Sequence, residues 1–414
     1  MRILYHGDSP TVATGFGNVS RNLLSGLAKE HEITVIGIND RGGYKDPKEY
    51  PYRIYPAIYN DFRDVLGIKR LINVLVGQDP EIKGDFDCLF LQYDFTLLAE
   101  SYIGSDNLFS TLKQIVKPTV KKIIYTPIDN GLVTPKWREV LEWFDIVIVP
   151  SQYGFKVLEG VWGTKKAKEK VKVVYYGVEN TFKPLVSQER LLIRKRMTDA
   201  LKKQNIEVEM ENKYIIGFVG RNQWRKDIYR TVKIFTEFKK QHPNAYLYLH
   251  TDPLDNNHDG GNLLDLLSYY GQFYGKDYLV PLGLNSNTGI ARVDMNEIYN
   301  MLDVYLSSSV GEGFGLPILE AMKCRVPVIA PNNTTMPELL DDDRGSLYDT
   351  DNTVCFGQLD FMRERELGDI KDAVLTLTAV HALGEKLSKN LTKAQEFADK
   401  YTPELMAKEV GKLL

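Results

Sequence analysis

Cysteine is scarce: three occur among 414 residues, and Cys88, Cys324 and Cys355 lie far apart. No Cys-x-x-Cys pair exists, so neither structural zinc nor a redox dithiol is supported, and a reducing, cytoplasmic compartment fits best. Burial as small apolar residues is the plain expectation for Cys88 and Cys324. The six histidines are scattered without ligand spacing, and no metal site is expected from the protein's own side chains. No uninterrupted apolar stretch approaches the roughly 20 residues of a membrane helix. The opening MRILYHGDSP has neither an extended basic leader nor an apolar h-region. A soluble chain is expected, with peripheral contact at a membrane surface left open. Charge of one sign is lacking too: 52 Lys and Arg against 55 Asp and Glu give a net −3. Without a concentrated basic surface, a nucleic-acid partner is not expected. Also missing is a dinucleotide fingerprint. The first loop, GDSPTVATGFGN, carries its glycines late and wrongly spaced for G-x-G-x-x-G, which argues against a nicotinamide-dependent oxidoreductase.

What is present is ordinary globular material, 43% apolar and 26% charged, in a chain too long for one core. Strand Arg2–His6, a helix from about Gly17 to Glu30 and strand Ile33–Ile38 make a βαβ unit, which requires parallel pairing. Further runs that are apolar on both faces follow at Cys88–Gln92, Lys122–Thr126, Asp145–Val149 and Val171–Tyr175, as parallel strands require. Glu189 to Gln204 reads as a polar helix. At Tyr214 the pattern restarts with strands YIIGFVG, AYLYLH, VPLGL, DVYLSSS and VPVIA. Two doubly wound parallel-sheet Rossmann-like domains are expected: residues 1–185, joined by 400–414 as a returning helix, and residues 186–399. A ligand belongs outside the carboxyl ends of their strands, in the cleft the two domains face.

Two segments carry chemistry. In DVYLSSSVGEGFGLPILEAM, Asp303 to Met322, a strand runs into a glycine-rich loop and a helix opening at Pro317, a residue favoured at the first helical position. Amides at such a helix start, helped by the macrodipole, suit a phosphate. Glu320, expected on the helix's first turn, is placed to accept hydrogen bonds from ribose hydroxyls. Glu312 lies eight residues earlier, toward a sugar beyond the diphosphate. In IIGFVGRNQWRKD, Arg221 and Lys226 follow a strand's carboxyl end, where cations neutralise a diphosphate. Arg225 and Arg230 are expected to be ordinary surface residues. The plain alternatives are a glycine turn with two solvated glutamates and a basic surface turn.

Together these segments resemble the family-4 retaining glycosyltransferases of the GT-B fold, and a virus-encoded member is one form the resemblance takes. GEGFGLPILEAM is similar to that family's two-glutamate signature and GRNQWRK to its diphosphate-binding segment. SQYGFKVL and YYGVENTFKP resemble its segments around the interdomain crossing. The resemblance implies that Arg221 and Lys226 bind the donor diphosphate, Glu320 the ribose and Glu312 the donor sugar. It implies further that Gly313, Phe314, Gly315 and Leu316 present amides to sugar and phosphate. Gly15 and Gly17, in TGFGN, resemble the family's glycine loop facing the diphosphate and acceptor. Many relatives carry a histidine at the end of a middle strand of the first domain. This chain has Gln92 and Asp94 there, with Asp94 equally readable as a helix N-cap, and Asp129 in YTPIDN as the acceptor-side candidate.

The implied activity is transfer of a hexose, with retention, to a glycan or glycoconjugate. GDP-mannose is the first expected donor and a UDP-sugar the second, with any Mg²⁺ carried by the donor phosphates. Base recognition is expected near His250 and Pro281–Asn285. Asp252 and Asp255 sit in a polar loop rather than a cation site. A non-catalytic nucleotide-binding protein of the same fold, an epimerase and a phosphorylase are the rival readings.

Overall fold

The computed structural model describes residues 1–59, 64–100, 102–103, 106–254, 260–281, 283–284 and 289–414. These fall into two compact units, one of Met1–Gly177 with Tyr401–Leu414, the other of Val178–Lys400.

The main sheet of the first unit has seven described strands: β1 (Arg2–Asp8), β2 (Glu32–Ile38), β3 (Arg53–Pro56), β4 (Cys88–Gln92), β5 (Lys121–Tyr125), β6 (Ile146–Val149) and β7 (Val171–Val173). Their order is β3-β2-β1-β4-β5-β6-β7, and each adjacent pair is parallel. Ile3, Leu4, Tyr5, Leu89, Phe90, Leu91, Ile123 and Ile124 are buried, as a sheet covered on both faces demands. Helix α1 (Gly15–Leu27) follows β1 and starts two residues earlier than its apolar face indicates, because the Thr14 hydroxyl accepts the Gly17 N–H at 2.9 Å. Near its far end, a Cβ on Gly26 would lie 2.3 Å from the Cβ of Ala407, on the helix Pro403–Gly411.

The second unit opens with helix α2 (Ser187–Lys202), whose Glu189 carboxylate accepts the Val186 N–H at 3.1 Å. Its strands are β8 (Tyr214–Val219), β9 (Ala245–His250), β10 (Tyr278–Leu279), β11 (Val304–Leu306), β12 (Val328–Pro331) and β13 (Ser346–Tyr348). They run in the order β10-β9-β8-β11-β12-β13, again all parallel. The expected strand VPLGL is replaced by Tyr278–Leu279, just upstream; Pro281 has no N–H to give a ladder, and Leu282 lies outside the described residues. Helices α3 (Ile228–Lys239), α4 (Arg292–Met301) and α5 (Leu316–Lys323) complete the scaffold of the site. A hairpin, β14 (Thr350–Cys355) with β15 (Glu364–Gly368), is antiparallel and stands outside the main sheet.

In the second unit the chain leaves β8 for β9 and β10 on one side, then returns to β11 on the other. The order reverses between β8 and β11, the switch point at which open α/β sheets bind ligands.

Candidate functional site

The two segments singled out by their chemistry are the loops leaving β8 and β11, on either side of that switch point. They are stitched together by hydrogen bonds. Val310 N–H donates to the Arg225 carbonyl at 3.0 Å. The Ser308 hydroxyl meets the Lys226 and Asp227 carbonyls at 3.1 and 2.8 Å and the Thr231 hydroxyl at 2.6 Å. Thr335, from the loop after β12, donates to the carbonyls of Glu312 at 3.1 Å and Phe314 at 3.2 Å. Gly315, in the left-handed region at φ +101°, forms the N-cap of α5 and brings no capping side chain. Pro317 is therefore the second helical residue, and Glu320 stands on the second turn rather than the first.

Glu312 is buried and bonded to cations on the facing loop. Its Oε1 accepts from Lys226 Nζ and from Ser309 Oγ, the latter at 2.7 Å, and its Oε2 accepts from Arg225 Nη1 at 3.1 Å. Burial alone would raise the carboxyl's pKa. The charges of Lys226 and Arg225 outweigh it, aided by the hydrogen bonds from Lys226 and Ser309, and hold it at about 2. Arg225 is thus no ordinary surface residue, since it also donates to the Gly311 carbonyl at 2.8 Å. Arg230 is likewise engaged, with Asp227 at 2.5 Å and the Gly368 carbonyl at 3.1 Å. Sequence alone hid the role of Arg225, because a partner 87 residues away leaves no local trace.

Arg221 differs from its neighbours: its Nε is buried and has no hydrogen-bond partner among the described residues. A buried guanidinium N–H left unmatched is costly, and an anion would satisfy it. Next to this loop, Trp224 packs on Phe356 with ring centroids 4.5 Å apart, and the buried Arg365 lies 5.7 Å from the Trp224 ring. The hairpin therefore backs the loop that carries Arg221 and Lys226.

Glu320 is buried on α5 and already holds two protein donors, Arg292 Nη2 at 2.5 Å and the Tyr299 hydroxyl at 2.6 Å. Nothing in the spacing of the sequence pointed to either. His250, at the end of β9, is mostly buried, and its pKa is lowered to about 4 by that burial. Its Nδ1 lies 3.2 Å from the Tyr248 hydroxyl. Of the expected base-recognition and polar loops, Leu282, Asn285 and Asp255 lie outside the described residues.

Asp129, Gly15 and Gly17 belong to the first unit. Asp129 follows β5 and is half-buried. Gly15 and Gly17 open α1, and a Cβ on Gly17 would sit 2.4 Å from the Val12 carbonyl oxygen, so close backbone packing alone requires glycine there. Gln92 faces the core: it is buried, and its Oε1 accepts from Tyr5 and from Ser20, the latter at 2.8 Å. Asp94 behaves as a cap, accepting the Thr96 N–H at 3.0 Å and hydroxyl at 2.8 Å.

A doubly wound chain with cations and carboxylates converging at its second switch point has known counterparts. Anabaena HepE, solved in complex with UDP and glucose, is 13% identical with a TM-score of 0.66, the match covering 100% of this chain and 99% of that one. Sucrose-phosphate synthase from Thermosynechococcus elongatus is 16% identical with a TM-score of 0.68, covering 100% and 98%. These likenesses establish the GT-B fold. Residues 213–358 match the family described as Glycosyl transferases group 1. Among curated proteins, the O-antigen chain mannosyltransferase B of Escherichia coli is 47% identical over 49 residues, 12% of this chain and 13% of that protein. The serotype-specific mannosyltransferase WbdA of Escherichia coli is 40% identical over 47 residues, 11% of this chain and 6% of that protein. The chain thus matches only a small part of the length of these curated relatives.

Proposed function

We propose that the protein is a nucleotide-sugar-dependent hexosyltransferase, acting with retention and moving mannose from GDP-mannose to a glycan or glycoconjugate. The observation that carries the reading is the unmatched Arg221 Nε, in the loop after β8 that also carries Lys226, at the switch point whose other loop leads into α5. That is a place for a diphosphate. The short matches to mannosyltransferases favour mannose. A UDP-sugar is the second reading, favoured by the Anabaena protein, whose structure holds UDP and glucose.

In this reading the bond from the anomeric carbon to the diphosphate breaks as one forms from an acceptor hydroxyl on the same face. The hydroxyl proton passes to the departing phosphate. Arg221, Lys226 and the amides of Gly313 to Leu316 meet the charge that grows on that phosphate, lowering the transition state more than the ground state. Glu312, fixed by Lys226 and Arg225, takes the sugar hydroxyls, and Glu320 the ribose. Gly15 and Gly17 face the diphosphate and the acceptor, Asp129 is the acceptor-side candidate, and any Mg²⁺ travels on the donor's phosphates.

Calorimetric titration with GDP, UDP, GDP-mannose and UDP-glucose tests the reading, with Lys226→Ala and Glu320→Ala as controls. Selective binding of the guanine pair, lost in both variants, supports it. Selective binding of the uracil pair moves the assignment to a UDP-sugar. A folded wild-type protein that binds none of the four sinks the donor site.

A further inference from the structure

Helix α4 carries a polar stripe, Arg292, Asn296, Tyr299 and Asn300, at positions i, i+4, i+7 and i+8 of one helical face. Asn296 and Asn300 are buried, and each serves the stretch by which the chain enters the second unit at Val178. Asn296 Oδ1 accepts the Lys183 N–H at 2.9 Å, and Asn300 Oδ1 accepts the Leu185 N–H at 2.8 Å. Arg292 joins that stretch to the site. Its Nε donates to Glu179 at 2.8 Å, its Nη2 to Glu320 at 2.5 Å, and its guanidinium lies 4.5 Å from the Phe182 ring centroid. From the other direction Lys323, fully buried on α5, donates to the Val178 carbonyl at 2.9 Å and to Asn180 at 3.1 Å. The helix bearing Glu320 is therefore tied to residues 178–180 by its own lysine and by a shared arginine.

We propose that Arg292 is a positioning residue for the nucleotide-sugar donor, holding the Glu320 carboxylate aimed so that its remaining lone pairs receive the ribose hydroxyls. The inference rests on the donor site proposed above. A carboxylate offers about four lone-pair directions. Arg292 takes one on Oε1 and Tyr299 one on Oε2, which leaves each oxygen able to accept once more. Two vicinal hydroxyls match that arrangement. Without the guanidinium, Glu320 and Glu179 would lose the cation they share, and among the described residues the Tyr299 hydroxyl alone would fix the direction of the buried Glu320.

The test compares binding of GDP and UDP with that of their 2′,3′-dideoxy forms, and of pyrophosphate, in the wild type, Glu320→Gln, Arg292→Met and Arg292→Lys. The wild type should favour the ribose form. Glu320→Gln should abolish that preference. Arg292→Met should cut it roughly tenfold or more while leaving pyrophosphate binding within about twofold, since hydrogen bonds to a charged acceptor are at stake. Arg292→Lys, which keeps the charge and serves if the methionine variant does not fold, should restore part of the preference. A ribose preference kept by the Arg292 variants but lost by Glu320→Gln overturns the positioning role and leaves the donor site standing. A preference kept by Glu320→Gln removes the ribose assignment and this inference together.

Discussion

Lys226 and Glu312, separated by 86 residues, share a hydrogen-bonded ion pair across the switch point between β8 and β11. Both side chains are nearly enclosed, at 12% and 11% exposure, so the pair is largely shielded from water. Removing one partner from such a pair leaves an uncompensated charge. Lys226→Met should cost about 2–3 kcal/mol, below the full penalty of a broken buried pair because Arg225 and Ser309 still serve Glu312. Urea unfolding of Lys226→Met, Glu312→Gln and the double variant measures the coupling, which should be favourable and exceed about 1 kcal/mol. Additive single effects would show the pair to be inert.

Glu312 also sets an acid limit. Its folded pKa, about 2, lies below its ordinary value of 4.5, so its contribution is complete above pH 4.5 and lost as pH falls toward 2. Wild-type protein should lose about 3 kcal/mol more than Glu312→Gln across that window. Parallel stability curves for the two proteins would contradict this.

His6 and His250 act in a higher window. Burial lowers both from the usual 6.5 to about 4, opposed in His6 by its bond to the Leu66 carbonyl at 2.8 Å. The unfolded chain takes up these protons first, so stability should decline as pH drops from 6.5 toward 4. His6→Gln and His250→Gln should each flatten the dependence of the urea midpoint on pH in that range. A slope unchanged in both variants would place the titrating groups elsewhere.

The glycines of the site make separate demands. Gly315→Ala forces a side chain into φ +101° and should cost about 1–3 kcal/mol while weakening nucleoside diphosphate binding. Gly17→Ala places a methyl 2.4 Å from the Val12 carbonyl oxygen and should cost a similar amount, about 1–3 kcal/mol, through overpacking. Thermal melts and calorimetry check both: each variant should lower the melting temperature, and Gly315→Ala should weaken nucleoside diphosphate binding more than Gly17→Ala does.

The alternation of apolar strand and amphipathic helix made both doubly wound sheets legible, since strands buried on both faces advertise themselves over only five or six residues. AYLYLH is β9 as written, Ala245–His250. Short strands next to proline did not advertise themselves, and β10 lies upstream of the place its apolar run suggested. The α1 boundary depended on a threonine hydroxyl rather than on hydrophobic spacing. At the site, the loops after β8 and β11 could be read from their glycines and charges, and the topology brings those loops together. Their partners could not be read: Arg225 on Glu312, Arg292 and Tyr299 on Glu320, and the hairpin behind Trp224 are contacts between distant segments. Strand and helix periodicity reports which face is buried, not what a buried charge touches.

The contact of Gly26 with Ala407 bears on the order in which the protein is made. The first unit draws its last helix from residues 403–411, after the whole of Val178–Lys400 has been translated. Domains tend to fold as the ribosome releases them, amino-terminal first. Here the continuous second unit can complete its core while α1 still lacks its partner. The flank of α1 around Gly26 stays uncovered throughout that interval.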